Sequence, residues 1–151
     1  VDKLCSETPK GYHLALKGCY FEFFYILYAN STARDEADRK NRARDLERTK
    51  LILSYIDENY KEAISITDIA SYCGFSESHF MRFFKNTMGV SFVSYLNDFR
   101  LNVAARLLSS NDESILSVAE NCGFFNLSYF NRMFKKKYGV TPGKYRDNHN
   151  L

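Results

Sequence analysis

One stretch of this chain occurs twice. Ile69-Ala70-Ser71-Tyr72-Cys73-Gly74-Phe75 returns 49 residues later as Val118-Ala119-Glu120-Asn121-Cys122-Gly123-Phe124. His79-Phe80-Met81-Arg82-Phe83-Phe84-Lys85 returns as Tyr129-Phe130-Asn131-Arg132-Met133-Phe134-Lys135, and Gly89-Val90-Ser91 as Gly139-Val140-Thr141, now 50 residues on. One residue is therefore inserted just past Phe124. A segment carried twice in one register must fold twice into one kind of unit. Two such units at near-constant spacing suit a periodic target, and DNA turns its major groove to the same face every ~34 Å.

Residues 12 to 29 read as a helix, with Leu14, Tyr20, Phe21, Phe24, Ile26, Leu27 and Tyr28 covering much of its surface. Residues 31 to 50 carry charges of both signs without a strong apolar period. They read as a solvated linker over 31 to 45 that merges into the next helix. That helix runs to about Tyr60 and turns Leu51, Ile52, Tyr55 and Ile56 inward. Ser65 or Thr67 caps a short helix that Gly74 stops, and Ser76 caps another that ends before Gly89. A longer helix from Ser91 carries Phe92, Tyr95, Leu96, Phe99, Val103, Leu107 and Leu108 at helical spacing. The second copy follows, with a helix over about 115 to 121, a cap near Asn126 and a helix to about Lys137. Thr141-Pro142 opens a final short helix, with proline where its missing N–H costs nothing. No run alternates with period two. The expected fold is all-α: two helix-turn-helix subdomains joined by a long connecting helix and preceded by an extra N-terminal helix.

Each copy is helix, glycine turn, helix. In the second helices Phe80, Phe83 and Phe84, answered by Phe130, Met133 and Phe134, form the buried stripe. Ser78, His79, Met81 and Arg82, with Leu127, Ser128, Asn131 and Arg132, point elsewhere and are free to enter a groove. Net charge is only +3, but its distribution is uneven. From Asn126 to Arg146 there are Arg132, Lys135, Lys136, Lys137, Lys144 and Arg146 and no acid, whereas Glu77 opposes Arg82 and Lys85 in the first unit. The cysteines form no CxxC pair and no cluster with histidine, so they read as small buried thiols in a reducing, cytosolic compartment. No run approaches the ~18 apolar residues of a membrane span. Without an initiator Met or signal peptide, the chain reads as part of something longer.

The run Ile69-Ala70 through Cys73-Gly74-Phe75-Ser76, Ser78, Phe80, Phe83-Phe84-Lys85 and Gly89 leads into a connecting helix with Arg100, Ala104 and Leu107-Leu108. The second half reads Gly123-Phe124 through Phe130, Arg132, Phe134-Lys135 and Gly139-Val140-Thr141-Pro142 to Tyr145-Arg146. Over about 46 to 147 this resembles the DNA-binding domain of AraC/XylS-type bacterial transcription regulators. The resemblance implies a monomeric reader with two recognition helices in successive major grooves of double-stranded promoter DNA. The base-reading candidates are then Ser78, His79, Met81, Arg82, Leu127, Ser128, Asn131 and Arg132. Arg can fork onto guanine, Asn can pair with adenine, and Leu or Met can touch a thymine methyl. Phosphate contacts fall to Thr67, Lys85, Asn126, Lys135, Lys136 and Lys137, with helix N-termini near Thr67 and Asn126 also meeting phosphates. RNA polymerase is the implied partner of the full regulator.

The resemblance also makes residues 1 to 30 the terminal helix of a truncated sensing and dimerisation domain, without its effector pocket. Tyr20, Phe21, Phe24 and Leu27 then form a self-association surface, or else pack on the DNA-binding domain; residues 148 to 151 are a tail. Plainer readings stand beside these. Arg82 and Arg132 can pair with acids of their own domain, Arg100 suits a structural salt bridge, and the lysine run also suits a helix end. No metal constellation, phosphate loop or catalytic dyad is present, so no cofactor and no catalysis are expected. The rival class is a helical protein-interaction module.

Overall fold

The computed structural model describes residues 17, 19–25, 36–110 and 112–149. The chain divides into two units, Val1–Lys50 and Leu51–Leu151. In the first, residues 19–25 are helical, with Phe21 exposed and Tyr20 and Phe24 partly covered. Leu27 lies outside the described residues. Phe23 and Phe24 meet edge to face at 5.9 Å, and the Lys50 ammonium stands 5.8 Å from the Phe21 ring. Cys19 is exposed, unlike the buried thiol expected of it.

The segment read as a charged linker is helical from Glu36, in a helix α1 (Glu36–Asn59) that continues into the second unit. Its Glu, Arg, Lys and Ala residues are strong helix formers, and opposite charges three residues apart support exposed turns. Glu47 and Lys50 form such a pair at 2.9 Å. Mixed charge concealed the first turns of this helix because they lack an apolar stripe.

Within Leu51–Leu151 the described residues form helices joined by turns, with no strand among them. The helices are α2 (Ile66–Tyr72), α3 (Glu77–Met88), α4 (Phe92–Ser110), α5 (Ile115–Asn121), α6 (Leu127–Tyr138) and α7 (Pro142–His149). Their starts follow side-chain caps. Ser65 Oγ accepts the Asp68 amide, Ser76 the His79 amide, Ser114 the Ser117 amide and Asn126 Oδ1 the Tyr129 amide. Each such cap is worth ~1 kcal/mol. Ser65, not Thr67, caps α2. The equivalent caps Ser65 and Ser114 keep the first offset while Ser76 and Asn126 keep the second, which places the inserted residue, Phe125, in the α5–α6 turn.

The aromatic stripes build two cores that share one helix. Phe80 and Phe84 are buried with Ile52, Ile56, Ile69, Phe92 and Leu96. Phe130 and Phe134 are buried with Val118, Phe124, Leu101, Val103, Ala104 and Leu108. The first turns of α4 thus belong to one core and its later turns to the other. Tyr60 and Phe99 border both cores and touch edge to face at 5.4 Å.

Arg100 sits at that junction, 9% exposed. Its Nε donates to the Tyr60 carbonyl and its Nη2 to the Glu62 carbonyl, both at 2.7 Å, and its guanidinium lies 6.0 Å from the Phe124 ring. The expected salt bridge is therefore a pair of charge-assisted bonds to backbone. Such bonds contribute ~1.5–3 kcal/mol each. Burial lowers the guanidinium pKa from its ordinary value. Gly123 closes the arrangement at φ +78: a Cβ there would stand 2.4 Å from the Tyr60 carbonyl oxygen and 2.9 Å from Arg100 Nε.

Candidate nucleic-acid interface

The two second helices, α3 and α6, present like faces. Phe80, Phe84, Phe130 and Phe134 point into the cores, which leaves the intervening positions outside. On α3, Ser78, His79, Met81 and Arg82 are all exposed. On α6, Leu127, Ser128 and Arg132 are exposed and Asn131 is partly covered. The candidates of each copy thus share one outward face near the helix start, where a recognition helix meets base edges.

Two of these side chains are held in place from below. The His79 ring packs edge to face on Phe75 at 4.6 Å. The Arg132 guanidinium lies 5.4 Å from the Tyr129 ring, a cation–π contact. Tyr129 is itself fixed, its hydroxyl accepting from Asn97 Nδ2 at 3.0 Å. Among the described residues no ion pair engages Arg82 or Arg132.

The lysines differ. Lys85, Lys135 and Lys136 are exposed at helix ends. Lys137 turns instead to the connecting helix, pairing with Asp98 Oδ1 at 2.9 Å and donating to the Asp98 carbonyl at 3.2 Å. Tyr138 joins it by donating to Asn102 Oδ1 at 2.9 Å. Asn97, Asp98 and Asn102 on α4 therefore pin α6 to the helix on which α3 also packs. Thr67 donates to Glu77 Oε1 at 2.6 Å, so a phosphate near Thr67 would meet that carboxylate. Asn126 spends its side chain on the α6 cap, leaving the helix start open to an anion.

Tyr129, Asn97 and Asp98 escaped the sequence reading because their roles are long-range contacts. Arg146 donates to the Glu113 carbonyl, tying α7 to the segment before α5.

A family model described as helix-turn-helix domain matches residues 69–148, which holds both reading helices. A solved AraC-type regulator from Chromobacterium violaceum superposes with a TM-score of 0.65 at 29% identity, covering 71% of this chain and 96% of that one. The chain belongs to the AraC-type helix-turn-helix family. Other AraC-type relatives include the regulatory protein PocR of Salmonella typhimurium, 32% identical over 81% of this chain and 41% of PocR. The bifunctional transcriptional activator/DNA repair enzyme AdaA of Bacillus subtilis is 35% identical over 68% of this chain and 48% of AdaA. This chain thus spans less than half of either relative. The DNA-binding domain of AdpA, solved with a target DNA, shares the fold with a TM-score of 0.64 at 24% identity, over 68% of this chain and 92% of that one. Residues 69–148 are this family's helix-turn-helix domain. No described helix is long and apolar enough to cross a membrane.

Proposed function

We propose that this chain reads promoter DNA by placing α3 and α6 in successive major grooves on one face of the duplex. The observation that carries this reading is the pair of bare outward faces on helices fixed to one connecting helix. Ser78, His79, Met81 and Arg82 meet one half-site; Leu127, Ser128, Asn131 and Arg132 meet the other. Lys85, Lys135 and Lys136 supply backbone grip, Thr67 and Asn126 lie where helix starts approach phosphates, and Lys137 acts mainly through Asp98.

In this reading the protein is not an enzyme, works in the cytoplasm on the nucleoid, and in its full form meets RNA polymerase. Tyr20, Phe21, Phe24 and Leu27 serve self-association; light scattering that gives a monomer at high micromolar concentration rejects that part. DNA binding is tested by fluorescence titration with random duplex DNA at two salt concentrations. Affinity that falls steeply with salt supports the reading, since Lys and Arg displace condensed counterions. Binding indifferent to salt, or none, rejects it.

A further inference from the structure

Thr67 and Glu77, hydrogen-bonded across the first unit, have Leu116 and Leu127 as register equivalents in the second. Both leucines are exposed, at 49% and 36%, and the inserted Phe125 is 73% exposed. The second unit has thus replaced a polar pair with apolar side chains and added a bare phenyl ring. Phe125 stands one residue before the cap of α6, where the chain enters the reading face.

The surroundings decide what covers that ring. Of the cations from Asn126 to Arg146, a stretch without acids, Lys137 pairs with Asp98 and Arg146 donates to the Glu113 carbonyl, which leaves Arg132, Lys135, Lys136 and Lys144. An apolar spot beside such a face suits a ligand that is anionic overall with an apolar feature inside. Major-groove DNA is such a ligand, because each thymine shows a C5-methyl between rows of phosphates.

Building on the groove-reading proposal above, we propose that Phe125 determines specificity by packing its ring on a thymine methyl at the edge of the α6 half-site. The first unit has no counterpart to this residue. Its half-site is therefore read without a Phe125-type methyl contact.

The test uses a duplex selected by the wild-type protein from a random pool. Each thymine of the α6 half-site is replaced in turn by deoxyuridine, which lacks only the methyl. At one position the replacement should weaken wild-type binding about fourfold, the worth of roughly one buried methyl. Phe125→Ser should bind the thymine duplex about fourfold more weakly and lose its sensitivity at that position alone. Its thermal melt should match the wild type, because the ring is exposed. The inference is overturned if selection returns no preferred thymine in that half-site, or if Phe125→Ser keeps wild-type affinity and deoxyuridine sensitivity. It is also overturned if the variant binds DNA normally but loses transcriptional output, which makes the ring a protein contact. All these outcomes leave salt-dependent DNA binding intact. Failure of the wild type to bind any duplex would instead reject the groove-reading proposal.

Discussion

Gly74 and Gly123 end equivalent helices at almost the same backbone angle, φ +69 and +78, yet only one has a crowded Cβ position. Replacing each with alanine separates conformational strain from close packing. Left-handed alanine costs roughly 1–2 kcal/mol at either site. At Gly74 a Cβ meets nothing within 4 Å, so that cost is the whole effect. At Gly123 the Cβ would lie 2.4 Å from the Tyr60 carbonyl oxygen and 2.9 Å from Arg100 Nε. The carbonyl or the guanidinium must move, breaking at least one charge-assisted bond worth ~1.5–3 kcal/mol. Gly123→Ala should therefore lose about 2.5–5 kcal/mol, a large share of the ~5–15 kcal/mol typical of a domain. Denaturant unfolding followed by circular dichroism measures both variants. In melts the pair should differ by at least about 6 °C, taking about 4–8 °C per kcal/mol for a unit of this size. If Gly123→Ala is no less stable than Gly74→Ala, the Arg100 bonds do not brace the junction of the two cores as argued.

Burial pushes the Cys122 thiol up to about 12, so it should resist iodoacetamide at pH 8 in the folded protein and react once unfolded, as mass spectrometry reads directly. Because this folded pKa is raised, Cys122 contributes stability fully present below the unfolded value near 9 and lost as pH rises toward 12; a fall in denaturation midpoint above pH 9 that Cys122→Ala removes is the check. Lys135→Ala and Lys136→Ala should each reduce the salt slope of DNA affinity by about 0.9. Lys137→Ala should change it less, since its ammonium pairs with Asp98; equal slopes for all three would refute that distinction.

Much of this organisation was legible because the deciding signals are local. A cap such as Ser76 acts three residues away, a glycine stop acts at its own φ, and the stripe of Phe80 and Phe84 repeats with the helix turn. The change of offset even located the insertion at Phe125, although nothing in the pattern said its ring would stand bare. Arg100 was legible as structural but not as a donor to Tyr60 and Glu62, about forty residues back in the chain. The same holds for Tyr129 on Asn97 and Lys137 on Asp98, which span 32 and 39 residues. The start of helix α1, residues 36–45, read as linker for another reason: periodicity detects an apolar stripe, and turns held by propensity and charge pairs have none.

The central claim is that two reading helices are held rigidly on one connecting helix and engage two grooves at once. The direct measurement is affinity for the selected duplex after inserting base pairs between its half-sites. Five pairs turn one groove to the opposite face, and ten restore the face but add ~34 Å. A rigid pair predicts that both insertions reduce affinity to that of a single half-site. Recovery at ten pairs would show flexibly tethered units, and unchanged affinity at five would show that only one helix reads DNA.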